Sequence, residues 1–100
     1  MKFVQIIEFE TERLEEMQQV LEEAGQRNAD RAGGPTHSML LKDRDKPNRF
    51  LALVEFESFD EAMRNSADPE TSRMAERLNA LSIGERVFIN CDVLDARDLK

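Results

Sequence analysis

Lys2-Phe3-Val4-Gln5-Ile6-Ile7-Glu8-Phe9 is rich in apolar residues on both sides of an extended chain. Side chains alternate between faces along a strand, so Phe3, Gln5, Ile7 and Phe9 share one face and Val4 and Ile6 the other. The stretch from Arg49 through Phe50-Leu51-Ala52-Leu53-Val54 to Glu57 reads the same way. An antiparallel pairing with Val4 opposite Leu53 and Ile6 opposite Leu51 sets Lys2 against Glu55 and Glu8 against Arg49. On the other face Phe3 meets Val54, Gln5 meets Ala52 and Ile7 meets Phe50. Apolar and opposite-charge cross-strand pairs are both favourable, and a slip by one residue would exchange the faces.

The remaining elements follow outward from these two strands. Met1 to Phe9 is strand one. Thr11 is the expected helix cap, and Glu12, Glu15 and Glu16 place negative charge in the first turn, where the helix dipole favours it. Leu14, Met17, Leu21 and Ala24 recur at helical spacing. Gly25 either ends this helix or is passed through toward Ala32, and Gly33-Gly34-Pro35 stops it. Thr36 to Lys42 is strand two and Arg49 to Glu57 strand three. The link Asp43 to Asn48 is too short for a parallel crossover, so these two form a hairpin. Ser58 caps a short helix carrying Phe59, Ala62 and Met63. Asp68-Pro69 breaks it and starts the next, with Asp as cap and Pro at the first helical position. Met74, Ala75, Leu78 and Leu81 form the third helical stripe, Gly84 ends the connection, Arg86 to Leu94 is strand four, and Asp95 to Lys100 is a polar tail.

This order predicts an α+β, ferredoxin-like split βαβ sandwich. The expected sheet has four antiparallel strands in the order 4-1-3-2, with helices on one face. One hundred residues fit a single domain, 1–100, that would expose roughly 5,800 Å² when folded. The formal net charge of −7 argues against a nucleic-acid partner and against an anionic membrane surface. The apolar run Phe3 to Ile7, interrupted by Gln5, is too short for a signal core or a spanning helix, so the expected location is the cytoplasm. There Cys91, the only cysteine, stays a thiol. The second face of the central strands, with Val4, Ile6, Leu51 and Leu53, would lie open in a monomer. It is therefore expected to be the face of a homodimer; the alternative is that the tail and the long loop cover it.

The segment Phe56-Glu57-Ser58-Phe59-Asp60-Glu61-Ala62-Met63-Arg64-Asn65-Ser66, continuing Ala67-Asp68-Pro69-Glu70-Thr71, resembles the dimeric α/β-barrel superfamily, within it the antibiotic-biosynthesis-monooxygenase-like group. It is also similar to a set of small actinobacterial proteins without assigned function. The resemblance covers nearly the whole chain through its element order. It implies a cavity between sheet and helices in each protomer, and either a cofactor-independent oxygenase, a haem-degrading enzyme, or a relative without known chemistry. Active members often carry a His or Trp in the short helix and an Asn on strand one. In this chain Asn65 or Ser66 stands at the helix position, Glu70 at a second His position and Gln5 at the Asn position, while Trp and Tyr are absent.

Gln5 is the most informative candidate. A buried amide needs partners, and Ala52 opposite leaves room beside it; a pocket donor and a core Gln bonded to backbone are equally open. His37 shares the cavity face only if it pairs opposite Val54. One residue further on, opposite Glu55, it points away, and a simple surface strand start is the favoured reading. Asn65 and Ser66 either line the cavity mouth or satisfy carbonyls at the helix end. Met17, Met39, Met63 and Met74 fall on expected inner faces and suit an adaptable apolar pocket. The expected pocket thus comprises Gln5, His37, Met39, Ala52, Met63, Asn65 and Ser66. No catalytic residue is assigned, no cofactor is expected, and a lone His gives no metal site. Two functions are in play: a binder of a small apolar or aromatic molecule, including an oxygenase-like enzyme, or a structural homodimer with no ligand.

Overall fold

The computed structural model describes residues 1–28 and 33–100, the side chain of Asn28 excepted. Its elements run β1 (Phe3–Glu10), α1 (Leu14–Asn28), β2 (His37–Lys42), β3 (Arg49–Phe56), α2 (Phe59–Ser66), α3 (Pro69–Leu81) and β4 (Val87–Asp92). The four strands form one antiparallel sheet in the order β2-β3-β1-β4, which is 4-1-3-2 read from the other edge. The expected ferredoxin-like sandwich is therefore present. Helix α1 passes through Gly25 to Asn28; its expected continuation toward Ala32 falls outside the described residues.

The two later helices begin where their caps require. The Ser58 hydroxyl accepts from the Glu61 N–H at 3.1 Å, and the Asp68 carboxylate accepts from the Glu70 N–H at 2.9 Å with Pro69 at the first helical position. Thr11 behaves differently from the expectation. The helix starts three residues later, at Leu14, and Thr11 is almost wholly buried. Its hydroxyl donates to the Leu81 carbonyl at 2.6 Å and accepts from the Arg13 N–H at 2.9 Å, while its own N–H donates to the Asn48 carbonyl at 3.0 Å. One small residue thus ties the end of β1 to the end of α3 through its hydroxyl and to the hairpin turn through its backbone N–H. Its hydroxyl is turned toward α3 and so does not reach the first helical N–H groups of α1.

The faces of the central strands are as expected, but their register is two residues away from the expected one. Val4 pairs with Glu55, Ile6 with Leu53 and Glu8 with Leu51; on the helix side Phe3 pairs with Phe56, Gln5 with Val54, Ile7 with Ala52 and Phe9 with Phe50. Aromatic packing accounts for the difference. The observed register brings Phe9 and Phe50 into a stack with ring centroids 5.7 Å apart and Phe3 and Phe56 to 6.4 Å. Such pairs add stability beyond their buried area. The charge matches survive diagonally, because long side chains reach across a register step. Lys2 Nζ lies 3.3 Å from Glu55 Oε1, and Arg49 Nη2 lies 3.0 Å from Glu8 Oε1.

The helix-side core is divided. Phe9, Met17, Val20, Phe50 and Leu78 form one buried cluster, and Phe3, Phe56 and Ala62 form another. Between the two phenylalanine pairs the central strands present only Gln5, Ile7, Ala52 and Val54. On the other face Met39, Leu41, Val87 and Ile89 are each more than a third exposed, in line with Val4, Ile6, Leu51 and Leu53. The tail does not cover that face: Leu94 and Leu99 are almost fully exposed. The total accessible surface is 7290 Å², about 1,500 Å² above the expectation for a compact chain of this mass. The open sheet face and the exposed tail both add to it.

Candidate functional site

The gap between the two core clusters is an open cavity of about 1390 Å³. Its floor is the middle of β1 and β3, its walls come from α1, α2 and α3, and Phe88 of β4 closes one side. The lining is mainly apolar where sheet meets helix, through Ile7, Leu21, Ala24, Leu40, Ala52 and Met74. Towards its mouth the lining turns polar and charged, through Gln18, Glu57, Glu61 and Glu70, so an apolar floor is rimmed by groups that can orient a ligand.

Gln5 lies on the cavity floor, and its Nε2 donates to Asn90 Oδ1 at 3.1 Å. Asn90 is its direct cross-strand partner on β4. The two side chains form an amide pair, with the Gln5 carbonyl oxygen and the Asn90 amino group left to other partners. The two-residue shift in register puts Val54, not the expected Ala52, opposite Gln5; Ala52 faces Ile7, one step along the cavity floor. Met63, Asn65 and Ser66 border the cavity from α2. The Asn65 backbone carbonyl also accepts from the Asp68 N–H at 3.2 Å, so this segment both ends α2 and borders the space.

His37 and Met39 are placed differently. The β2–β3 hairpin pairs His37 with Glu55 and Met39 with Leu53, which puts both side chains on the open sheet face. They border the cavity only at the edge of β2, and Ser38 and Leu40 occupy its inner face instead. The turn from Asp43 to Asn48 sets this register, closed by the Asp43 N–H donating to the Arg49 carbonyl at 3.0 Å. Of the four methionines expected inside, Met17 is buried in a core cluster, Met74 lines the cavity half-buried, and Met63 lines it with its side chain more exposed. Met39 is on the opposite face.

Two lining residues, Arg86 and Phe88, and Asn90, which bonds the floor residue Gln5, were not singled out by sequence. Arg86, Phe88 and Asn90 alternate along the inner face of the edge strand β4 and its approach. The signal was a polar-aromatic-polar alternation within an otherwise apolar strand. Arg86 donates from Nε to Asn79 Oδ1 at 2.8 Å, and its guanidinium carbon lies 5.1 Å from the Phe88 ring centre. Burial pushes its pKa below that of an ordinary guanidinium, which stays charged at any physiological pH. Among the described residues no group of three His, Cys, Asp or Glu side chains is placed to hold a metal ion, and no helix is long and apolar enough to cross a membrane.

No family model and no curated protein matches the sequence. Solved structures do match its fold. SnoaB, a cofactor-independent oxygenase from Streptomyces nogalater, in a mutant form, superposes with a TM-score of 0.81 at 22% identity, covering 95% of each chain. An antibiotic-biosynthesis-monooxygenase-like protein from Caulobacter crescentus gives a TM-score of 0.81 at 10% identity, covering 94% of this chain and 91% of the other. One from Deinococcus radiodurans gives 0.78 at 13% identity over 98% of both. The chain therefore has the fold of the antibiotic-biosynthesis-monooxygenase-like proteins.

Proposed function

We propose that this protein binds a small apolar or aromatic molecule in the cavity between sheet and helices, and that it does so as a homodimer assembled through the open sheet face. The observation that carries the reading is the divided core. A chain of this size has little buried apolar area to spare, yet it leaves a hollow between two phenylalanine pairs, floored by an alanine and an amide. The likeness of fold to a cofactor-independent oxygenase agrees with this reading. Chemistry in such a space rests on the reactivity of the bound molecule and on its positioning, because the one histidine meets the cavity only at the edge of β2. A structural dimer without a ligand would have no use for the hollow.

A thermal-shift screen of polycyclic phenols and haem tests the reading, with Ala52→Phe as the filled-cavity control. At least one aromatic compound raises the melting temperature of the wild type and leaves that of Ala52→Phe unchanged. If no compound shifts the wild type while Ala52→Phe is the more stable protein, the hollow is only a packing defect.

A further inference from the structure

Of the cations that line the cavity, Arg27 lies 3.9 Å from Glu70 Oε2. Arg86 has no carboxylate partner among the described residues, although the chain carries 21 acidic side chains. The carboxylates on the cavity wall are Glu57, Glu61 and Glu70; Glu61 is paired with Arg64 and Glu70 with Arg73. Arg86 Nε is committed to Asn79, and Nη2 makes only a long contact, 3.5 Å, to the Ala75 carbonyl. Nη1 makes no hydrogen bond among the described residues. Around Arg86 the wall is apolar, with Ile7, Phe9, Leu78 and Phe88. A half-buried guanidinium without an anion in a low-dielectric wall is costly unless an anion joins it, and its planar fork suits the two oxygens of an acid group.

We propose that the cavity recognises an aromatic acid, whose acidic oxygens dock on Arg86 and whose flat body lies against Phe88 toward the Gln5–Asn90 amide pair. The inference rests on the pocket reading above and narrows its ligand class. The docking line is set by the strand: from Arg86 to Asn90 it spans roughly 13 Å at strand rise, with Phe88 midway on the same face. An edge-strand cation at one end and an amide pair at the other give the site a direction.

Anthracene-2-carboxylate and its neutral carboxamide have nearly the same shape and differ in charge, so titrating both by fluorescence is the test. The wild type binds the carboxylate roughly tenfold more tightly than the amide, the effect of one charge-assisted contact. Arg86→Gln abolishes that preference without weakening the amide, Arg86→Lys keeps part of it, and added salt weakens the carboxylate alone. Equal binding of the two probes by the wild type, or a preference that survives in Arg86→Gln, overturns the inference and leaves the pocket reading standing. Should Arg86→Gln not fold, Arg86→Lys and the salt series decide in the same way. If neither probe binds the wild type, or if Ala52→Phe binds both as well as the wild type does, the pocket reading fails and the inference falls with it.

Discussion

At the scale of single residues, Thr11 and Asp43 show how little of a side chain's role its neighbours in sequence reveal. Thr11 stands where a cap belongs, and its hydroxyl bonds instead to a carbonyl seventy residues away. Thr11→Val keeps the volume and removes that bond; we expect it to cost about 1–3 kcal/mol, read from the urea midpoint. Asp43 accepts from the Asp45 N–H at 2.9 Å and from Arg49 Nη1 at 2.8 Å. The Asp45 amide and then the Arg49 guanidinium hold its carboxyl below the usual range. The stability it contributes is therefore present above the ordinary carboxylate pKa. It is lost as pH falls through the lowered folded value, because the unfolded chain takes up the proton first. An NMR titration should place Asp43 below an ordinary aspartate, and Arg49→Gln should return it upward. Gln5 was legible because an amide among apolar neighbours is conspicuous in a short strand. His37 was not, because adjacent registers of one hairpin send it to opposite faces and nothing in the turn sequence separates them.

At the scale of elements, order and boundaries were largely readable, since Ser58 and Asp68-Pro69 act locally. Ser58→Ala should destabilise the protein by about 1 kcal/mol, measured by thermal or urea unfolding. Register was less readable for a physical reason. Lys2–Glu55 and Glu8–Arg49 form both in the expected pairing and, diagonally, in the observed one. Charge matching therefore cannot separate two registers that differ by two residues, and the four phenylalanines do. A double-mutant cycle on Glu8 and Arg49 should give a coupling of only about 0.2–1 kcal/mol, since both side chains still reach water, at 30% and 27% exposed. Strand β4 hid Arg86, Phe88 and Asn90 because an edge strand reached through a long helix carries no turn to fix its alignment.

At the scale of the whole molecule, the large accessible surface and the apolar sheet face belong to one argument. A face that carries Val4, Ile6, Met39, Leu41, Leu51, Leu53, Val87 and Ile89 without cover is unusual for a lone soluble chain. Ile6→Lys sets a charge at its centre. Analytical ultracentrifugation should show the wild type as a dimer and this variant as a monomer or an aggregate; a soluble Ile6→Lys dimer would rule out the sheet face as the contact.

Ile6 and Ile7 are chain neighbours, yet one belongs to the open face and the other to the cavity floor. The sheet is a partition one residue thick, and successive codons of β1 and β3 write alternately to its two sides. Under the function proposed above, drift at odd-numbered positions of β1 would retune the cavity and leave the contact face alone, and drift at even-numbered positions would do the reverse. On that reading, a lineage built on this wall could change cargo and company independently.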